Sequence, residues 1–424
     1  MSRGSLLIKG GRLVDPSLPL DALRDVRIVR GIVYEIGDAL EPAAGEPVFD
    51  ATNAVVAPGF LDMHVHLREP GFPEKETIAT GTEAAVRGGF TAVACMPNTR
   101  PALDDPRVLD ALKREASQRA RCAVYPIAAI TQGRQGLEPC DFAALAKAGA
   151  VGFSDDGTTV ADPRVLRAAA LQAVGVEGVF ISHCEDERLK AGAVMNEGDV
   201  ARALGVAGAP ALAEDVIVAR DLLIAAETGK AWHVAHLTTR VGLDLVRYLR
   251  PRAARVTCEV TPHHLNFTDE AVRDLGAAAK VNPPLRGEDD VRALREGVRD
   301  GTIDVFATDH APHTAAEKAG DLAVAAVGFT GLEVAVGAYA AALADLPMLR
   351  FVALLSTNPA HILSVAGGTL AIGAPGDVTI FADRPWVVDT QQFASKGRCT
   401  PFAGRTLPRQ VLATVIAGSV AYAA

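Results

Sequence analysis

The sequence predicts an α/β protein: a (β/α)8 TIM-type barrel with a small β-sandwich domain built from both termini. Three observations carry this. Between residues 58 and 366, eight apolar strand-like runs alternate with longer helical stretches, the pattern of a closed barrel. None of these runs is followed by G-x-G-x-x-G or by a Walker-type G-x-x-x-x-G-K-[ST], which argues against an open nucleotide-binding sheet. The two ends, 1–57 and 367–424, share a different texture of short strands broken by Gly and Asp turns. Chain termini often lie close together, so they are expected to form one composite β domain.

In chain order, the first end predicts strands at 6–8, 25–29 and 32–36, and the last predicts them at 377–381 and 411–416. The barrel strands are expected at 59–67, 90–96, 122–130, 150–154, 178–183, 231–237, 255–260 and 303–308. Helical spacing is clearest at 162–174, 214–228 and 289–299.

Bulk properties narrow the class. With 424 residues, 49% of them hydrophobic, 39 Gly and 25 Pro, the chain suits a well-buried, turn-rich enzyme with one large domain and one smaller. A net charge of −9 argues against nucleic acid or an acidic membrane as partner. No apolar run is long enough to span a bilayer. The opening MSRGSLLIKGGRLVD meets Gly-Gly and charged residues too early for a signal peptide. Six cysteines without a C-x-x-C pair fit free thiols in a reducing cytoplasm. The expectation is a cytoplasmic enzyme acting on a small molecule.

In such barrels chemistry sits at the C-terminal ends of the strands. Strand one ends in His64-Val65-His66, and strand alternation would put Asp62, His64 and His66 on one face. Strand two runs into Asn98, strand four into Ser154-Asp155-Asp156-Gly157, and strand five into His183. Strand six runs into His236, strand seven into Thr261-Pro262-His263-His264, and strand eight into Asp309-His310-Ala311-Pro312-His313. A chain with only 10 His does not place them at four strand ends without reason. His64, His66, His183, His236, Asp309 and one aspartate of the 155–156 pair supply enough ligand for two divalent ions with a bridging carboxylate. His233 has the opposite strand parity and is expected to hydrogen-bond in the wall. His263 and His264 follow Thr-Pro in a turn context, and His361 reads as a capping or packing residue.

These stretches identify a resemblance. Asp62 to Gly71, Met96-Pro97-Asn98-Thr99, Ser154 to Gly157, His183 to Asp186, Cys258 to Leu265, Lys280 to Arg286 and Ala307 to His313 resemble, in order and across nearly the whole chain, the amidohydrolase superfamily. Within it they resemble the bacterial long-chain dihydroorotases. The resemblance implies two zinc ions, one held by His64, His66 and Asp309 and one by His183 and His236, with Asp156 between them. It implies a substrate site formed by His66, Arg68, Asn98, Asn282, His313 and the backbone at Val327 and Gly328. It also implies a homo-oligomer and association with aspartate transcarbamoylase. Many relatives carry a carboxylated lysine at strand four; here Phe153-Ser154-Asp155-Asp156 has none, which favours an aspartate bridge.

The implied reaction is the reversible, zinc-dependent cyclisation of N-carbamoyl-L-aspartate to dihydroorotate in pyrimidine biosynthesis. A metal polarises the poorly electrophilic carbonyl, Asp309 shuttles the proton, and Arg68 suits a bidentate contact with the substrate carboxylate. The alternatives are another cyclic amidohydrolase (hydantoinase, dihydropyrimidinase or allantoinase) or a non-catalytic dihydroorotase-like subunit of aspartate transcarbamoylase. Arg68 and the missing lysine argue against the first, and the full ligand set against the second. The alanine-rich segment from Thr314 to Val327 reads as either a lid or a surface connection.

Overall fold

The computed structural model describes residues 4–253 and 255–424. Among the described residues, eight parallel strands form one sheet: β1 (Phe60–Val65), β2 (Phe90–Cys95), β3 (Ala123–Ala128), β4 (Gly152–Phe153), β5 (Val179–Ser182), β6 (Trp232–Val234), β7 (Val256–Val260) and β8 (Val305–Phe306). Each pairs with the next in sequence. The sheet closes where Val65 bridges His310 and the His66 N–H donates to the His310 carbonyl at 2.9 Å. The strands are nearly continuous apolar runs, as a parallel sheet covered by helices requires.

The crossover helices are α1 (Ile78–Arg87), α2 (Pro106–Arg119), α3 (Phe142–Lys147), α4 (Pro163–Gln172), α5 (Leu212–Thr228), α6 (Arg240–Leu249) and α7 (Glu288–Arg299); α8 (Ala335–Ala342) follows β8. Their starts are legible locally. Asp105 and Asp162 each precede a proline and accept a backbone N–H of the first turn, and Thr77, Asp141 and Thr239 cap α1, α3 and α6 in the same way, satisfying donors that a helix start leaves free. Inside the barrel Leu61, Met63, Ala94, Ile127, Ile181 and Val305 pack together with Ala360 and Leu363 of the helix Asn358–Leu363. The apolar plug leaves only the opposite end of the barrel for chemistry.

Both chain ends share the second unit. Val378–Ala382 lies antiparallel to Val55–Pro58 on one side and to Gln410–Ile416 on the other, in a six-stranded sheet. A four-stranded sheet of Ile32–Gly37, Asp25–Val29, Leu6–Lys9 and Val48–Asp50 faces it. Leu6, Ile8, Val26 and Ile28 from one sheet meet Leu13, Val56, Ile380 and Val415 from the other, which makes the pair a sandwich. The short strands Arg12–Asp15, Leu20–Leu23, Val48–Asp50 and Ser419–Ala423 add to the sequence-based expectation. Between Ala382 and Gln410 the chain leaves the sandwich, and Val388, Phe393, Phe402 and Leu407 pack with Phe329 and Val334 of the barrel. No helix among the described residues is long and apolar enough to cross a membrane.

Candidate metal centre

Two groups of donors gather at the C-terminal mouth of the barrel: His64, His66 and Asp156, and Asp156, His183 and His236, with the donor atoms of each group within 4.8 Å of one another. Asp156 belongs to both. Its Oδ1 lies 3.3 Å from His64 Nε2, 3.6 Å from His183 Nδ1 and 3.7 Å from His236 Nε2, and its Oδ2 lies 3.6 Å from His66 Nε2. Asp309 joins from β8, with Oδ1 3.0 Å from His66 Nε2 and 3.5 Å from His64 Nε2. All six sequence-predicted donors therefore meet in one place, and all are buried.

The neighbours decide which atom each donor presents. His64 gives Nδ1 to Glu259 Oε1 at 2.6 Å, leaving Nε2 for the site. His183 gives Nε2 to Glu185 at 2.9 Å, and Lys190 pairs with the same carboxylate at 2.8 Å. His66 Nδ1 donates to Asn98 Oδ1 at 2.9 Å. Each of these rings thus has one nitrogen anchored and the other turned to the common centre, the arrangement that fixes tautomer and orientation in metal sites. Asp155 is spent differently: it accepts the N–H groups of Ile130 and Thr131 and the Thr131 hydroxyl. Of the two adjacent aspartates, only Asp156 faces the histidines.

The backbone is strained at the same place. Arg68, His236 and Asp309 have φ values of 61°, 28° and 48°, a region that residues with a Cβ seldom occupy unless the surroundings hold them there. The register of β1 also slips between Asp62 and Val65, so strict alternation does not govern this stretch. Asp62 consequently turns to Thr308, accepting its hydroxyl at 2.5 Å, and takes the His64 N–H at 3.1 Å.

The donor set fits divalent metal. Among the described residues His64 Nε2 and Asp156 Oδ1, which face each other at 3.3 Å, are buried with no hydrogen-bond partner. Buried polar atoms left in this state cost about 1–3 kcal/mol each. Asp156 and Asp309 have only histidines, and no lysine or arginine, within ion-pair distance among the described residues. Burial opposes the charge on Asp156, but His64, His183 and His236 hold its carboxyl well below the usual range. A cluster of imidazole nitrogens around unpaired buried carboxylates is the donor chemistry of a divalent cation.

A cleft of about 170 Å³ opens above the cluster, lined by His66, Arg68, Asn98, Asn282, His313, Val327 and Gly328 together with the inner donors. The predicted substrate residues therefore share one pocket with the predicted ligands. Arg68 is anchored by Nε to the Pro312 carbonyl at 3.2 Å, and its Nη2 lies 3.3 Å from His313 Nε2. His313 Nε2 donates to the Val327 carbonyl at 2.8 Å. Burial and the neighbouring Arg68 push His313 down to about 3, so the ring is neutral. Gly328 has φ 103°, and a Cβ there would lie 2.7 Å from Ala311 Cβ, so glycine is needed where the loop crosses the cleft.

Two lysines hold that loop. Lys280 Nζ donates to the carbonyls of Leu322 at 2.7 Å and Ala325 at 2.8 Å, and Lys318 Nζ to those of Ala326 at 2.8 Å and Gly328 at 2.9 Å. The 314–327 segment is thus wrapped around two ammonium groups. Lys280 falls in a stretch that carries the resemblance, but no sequence signal gives either lysine this role, because a lysine in a loop ordinarily reads as solvated.

The remaining histidines stay outside. His233 bonds Thr257 and Glu259. His264 bonds Thr261 and the Pro283 carbonyl from a short helix, Pro262–Asn266. His263 is buried against His264 and Phe329, and His310 is held by Glu76 and Gly331. The residue that sequence reasoning passed over is Glu259, a carboxylate within an apolar strand.

Comparison with known proteins places this geometry. A family model described as dihydro-orotase-like matches residues 53–241. The dihydroorotase of Pelotomaculum thermopropionicum is 50% identical over 420 residues, 98% of each chain. That of Syntrophus aciditrophicus is 42% identical over 421 residues, 98% of this chain and 99% of its own. Among solved structures, an L-hydantoinase (dihydropyrimidinase) from Arthrobacter aurescens matches with a TM-score of 0.87 at 24% identity, over 99% of this chain and 96% of that one. A dihydropyrimidinase from Brevibacillus agri matches with a TM-score of 0.84 at 20% identity, over 98% and 94%. At those identities the solved structures speak for the fold.

Proposed function

Because the chain belongs to the dihydroorotase family, we propose that it catalyses the reversible cyclisation of N-carbamoyl-L-aspartate to (S)-dihydroorotate, with loss of water, in de novo pyrimidine biosynthesis. It is a cyclic amide hydrolase. The observation that carries the residue-level reading is the convergence of His64, His66, Asp156, His183, His236 and Asp309 beneath Arg68 in one cleft.

In this reading His64, His66 and Asp309 would hold one zinc ion and His183 and His236 a second, with Asp156 shared by both groups of donors. Bound metal would polarise the scissile carbonyl and make water reactive near neutral pH. The chain's own residues supply the rest. Arg68 takes the substrate carboxylate, since its planar fork matches a carboxylate and its Nε is already anchored. His313, neutral and with its Nε2 on the Val327 carbonyl, stands beside Arg68 at the same end of the cleft. Asn282 and the Val327–Gly328 backbone line the same cleft. Asn98 ties His66 to the cleft and keeps its amide 3.4 Å from Asp156.

Asp309 is the proton carrier. In the hydrolytic direction its carboxylate accepts a proton from the attacking water and returns it to the ring nitrogen as the amide bond opens; ring closure runs the same transfers backwards. Its carboxyl is held in the ionised form by His66 and His64 despite burial, which is the state a base requires.

A substrate panel tests the assignment. Turnover of dihydroorotate, with at least ~10²-fold lower kcat/KM for hydantoin, dihydrouracil and allantoin, is expected if Arg68 reads a carboxylate those rings lack. Equal or faster turnover of an uncarboxylated ring would overturn it.

A further inference from the structure

We propose that Glu259 is a positioning residue for both metal sites at once. One of its carboxylate oxygens fixes the ring of His64 and the backbone of His236, while the other ties that pair through His233 to the barrel wall. The inference rests on the reading that His64 and His236 are metal ligands.

Glu259 sits on β7 with no exposed surface, in a run, Val256–Val260, whose one other oxygen-bearing side chain is Thr257. A buried carboxylate is expensive unless donors surround it. Here Oε1 accepts His64 Nδ1–H at 2.6 Å and the His236 N–H at 3.1 Å. Oε2 accepts His233 Nε2–H at 3.0 Å, and His233 Nδ1 reaches the Thr257 hydroxyl at 2.7 Å. Three strands are joined through one side chain: β1 through His64, β6 through His233 and the His236 that follows it, and β7 through Glu259 itself.

Each contact has a consequence. The bond to His64 forces the tautomer with the proton on Nδ1, so Nε2 faces Asp156 and Asp309 with its lone pair. A negative partner also makes that nitrogen a stronger donor to a cation. The bond to His236 acts on the main chain at the residue whose φ is 28°. Such a conformation persists only where neighbours enforce it, and the Glu259 oxygen is the group that holds its N–H. No lysine or arginine lies within ion-pair distance of Glu259 among the described residues; its only such partners are His64 and His233. The anion is therefore directed through the imidazole of His64 toward the site.

The other acid behind a ligand is different. Glu185 meets only His183 among the donors and is paired with Lys190. Its influence falls on one site, and its charge is already matched.

The test is metal binding rather than turnover. Metal-stripped wild type, Glu259→Gln and Glu185→Gln are titrated with Co2+ against a chromophoric chelator, with visible spectra of the bound cobalt and the thermal midpoint of each metal-free protein. The Glu259→Gln substitution keeps the size of the side chain, the amide oxygen it introduces still accepts from His64 and His236, and its NH2 donates to His233 Nε2 once the His233 proton sits on Nδ1 toward the Thr257 hydroxyl; with that tautomer change the charge is what is lost. The expected result is a loss of tenfold or more in affinity at both sites in Glu259→Gln, with an altered cobalt spectrum and an unchanged metal-free midpoint. Glu185→Gln is expected to weaken one site only. Wild-type affinity and spectrum in Glu259→Gln would overturn the proposal. If wild type itself takes up no Co2+, the metal reading fails first and the inference falls with it. Should Glu259→Gln not fold, 15N-histidine spectra of metal-loaded wild type decide: a proton on His64 Nδ1 supports the proposal, and a proton on His64 Nε2 overturns it.

Discussion

At Asp309 two demands fall on one carboxylate, since the group that lies 3.0 Å from His66 is also the one proposed to carry the proton. Replacing it by Asn keeps the shape and removes the base. Asp309→Asn is expected to fold and to lose turnover by at least ~10²-fold, the usual scale for a general base. Near-normal kcat in steady-state assays would remove Asp309 from the mechanism. Arg68→Ala is expected to raise KM for dihydroorotate tenfold or more with a smaller change in kcat, because it removes a binding contact rather than the reacting groups. Unchanged constants would place the substrate carboxylate elsewhere. At this scale the sequence was informative where a residue type is rare. Histidines at successive strand ends are hard to explain by packing, so His64, His66, His183 and His236 stood out. Asp155 and Asp156 were inseparable by residue type; in the structure the N–H groups of Ile130 and Thr131 take Asp155, while Asp156 lies against the histidines. Glu259 gave no signal because one acid in a strand usually marks an exposed face.

Among elements, the loop after β8 and the turn that follows it carry the next predictions. Lys318→Met leaves the carbonyls of Ala326 and Gly328 without their donor, at about 1–3 kcal/mol for an unsatisfied buried group. A several-fold rise in KM and faster proteolytic cleavage within 314–327 are expected; if neither changes, the ammonium is not what holds the loop. The sequence left this segment between lid and surface connection, and the lysine-to-carbonyl bonds that order it connect positions up to 45 residues apart, beyond the reach of local pattern. Glu333 gives a pH prediction. Burial pushes its carboxyl up to about 7, against N–H bonds from Ala394 and Ser395. The folded protein therefore holds a proton that the unfolded chain has released, so this contribution to stability is full below the ordinary carboxylate value of 4.5 and is lost as pH rises through about 7. The thermal midpoint of wild type minus that of Glu333→Gln should fall from pH 5 to pH 8. A difference that stays level would contradict the shift.

Across the whole molecule, the alternation of strands and helices made the barrel legible, and the shared texture of the two ends made the sandwich legible. The pairing of Val378–Ala382 between Val55–Pro58 and Gln410–Ile416 gives that texture its physical basis. What sequence did not carry is the path from 383 to 409, which packs on the barrel through scattered Val, Phe and Leu without periodicity. The central claim joins fold, donors and chemistry: this barrel is a metal-dependent dihydroorotase. One preparation, divided between metal analysis and a dihydroorotate hydrolysis assay before and after chelation, tests it most directly. The account predicts close to two equivalents of zinc, activity that disappears with the metal, and recovery on adding zinc back. Hydrolysis that survives complete removal of metal, or a fully loaded protein that leaves dihydroorotate untouched, would contradict it.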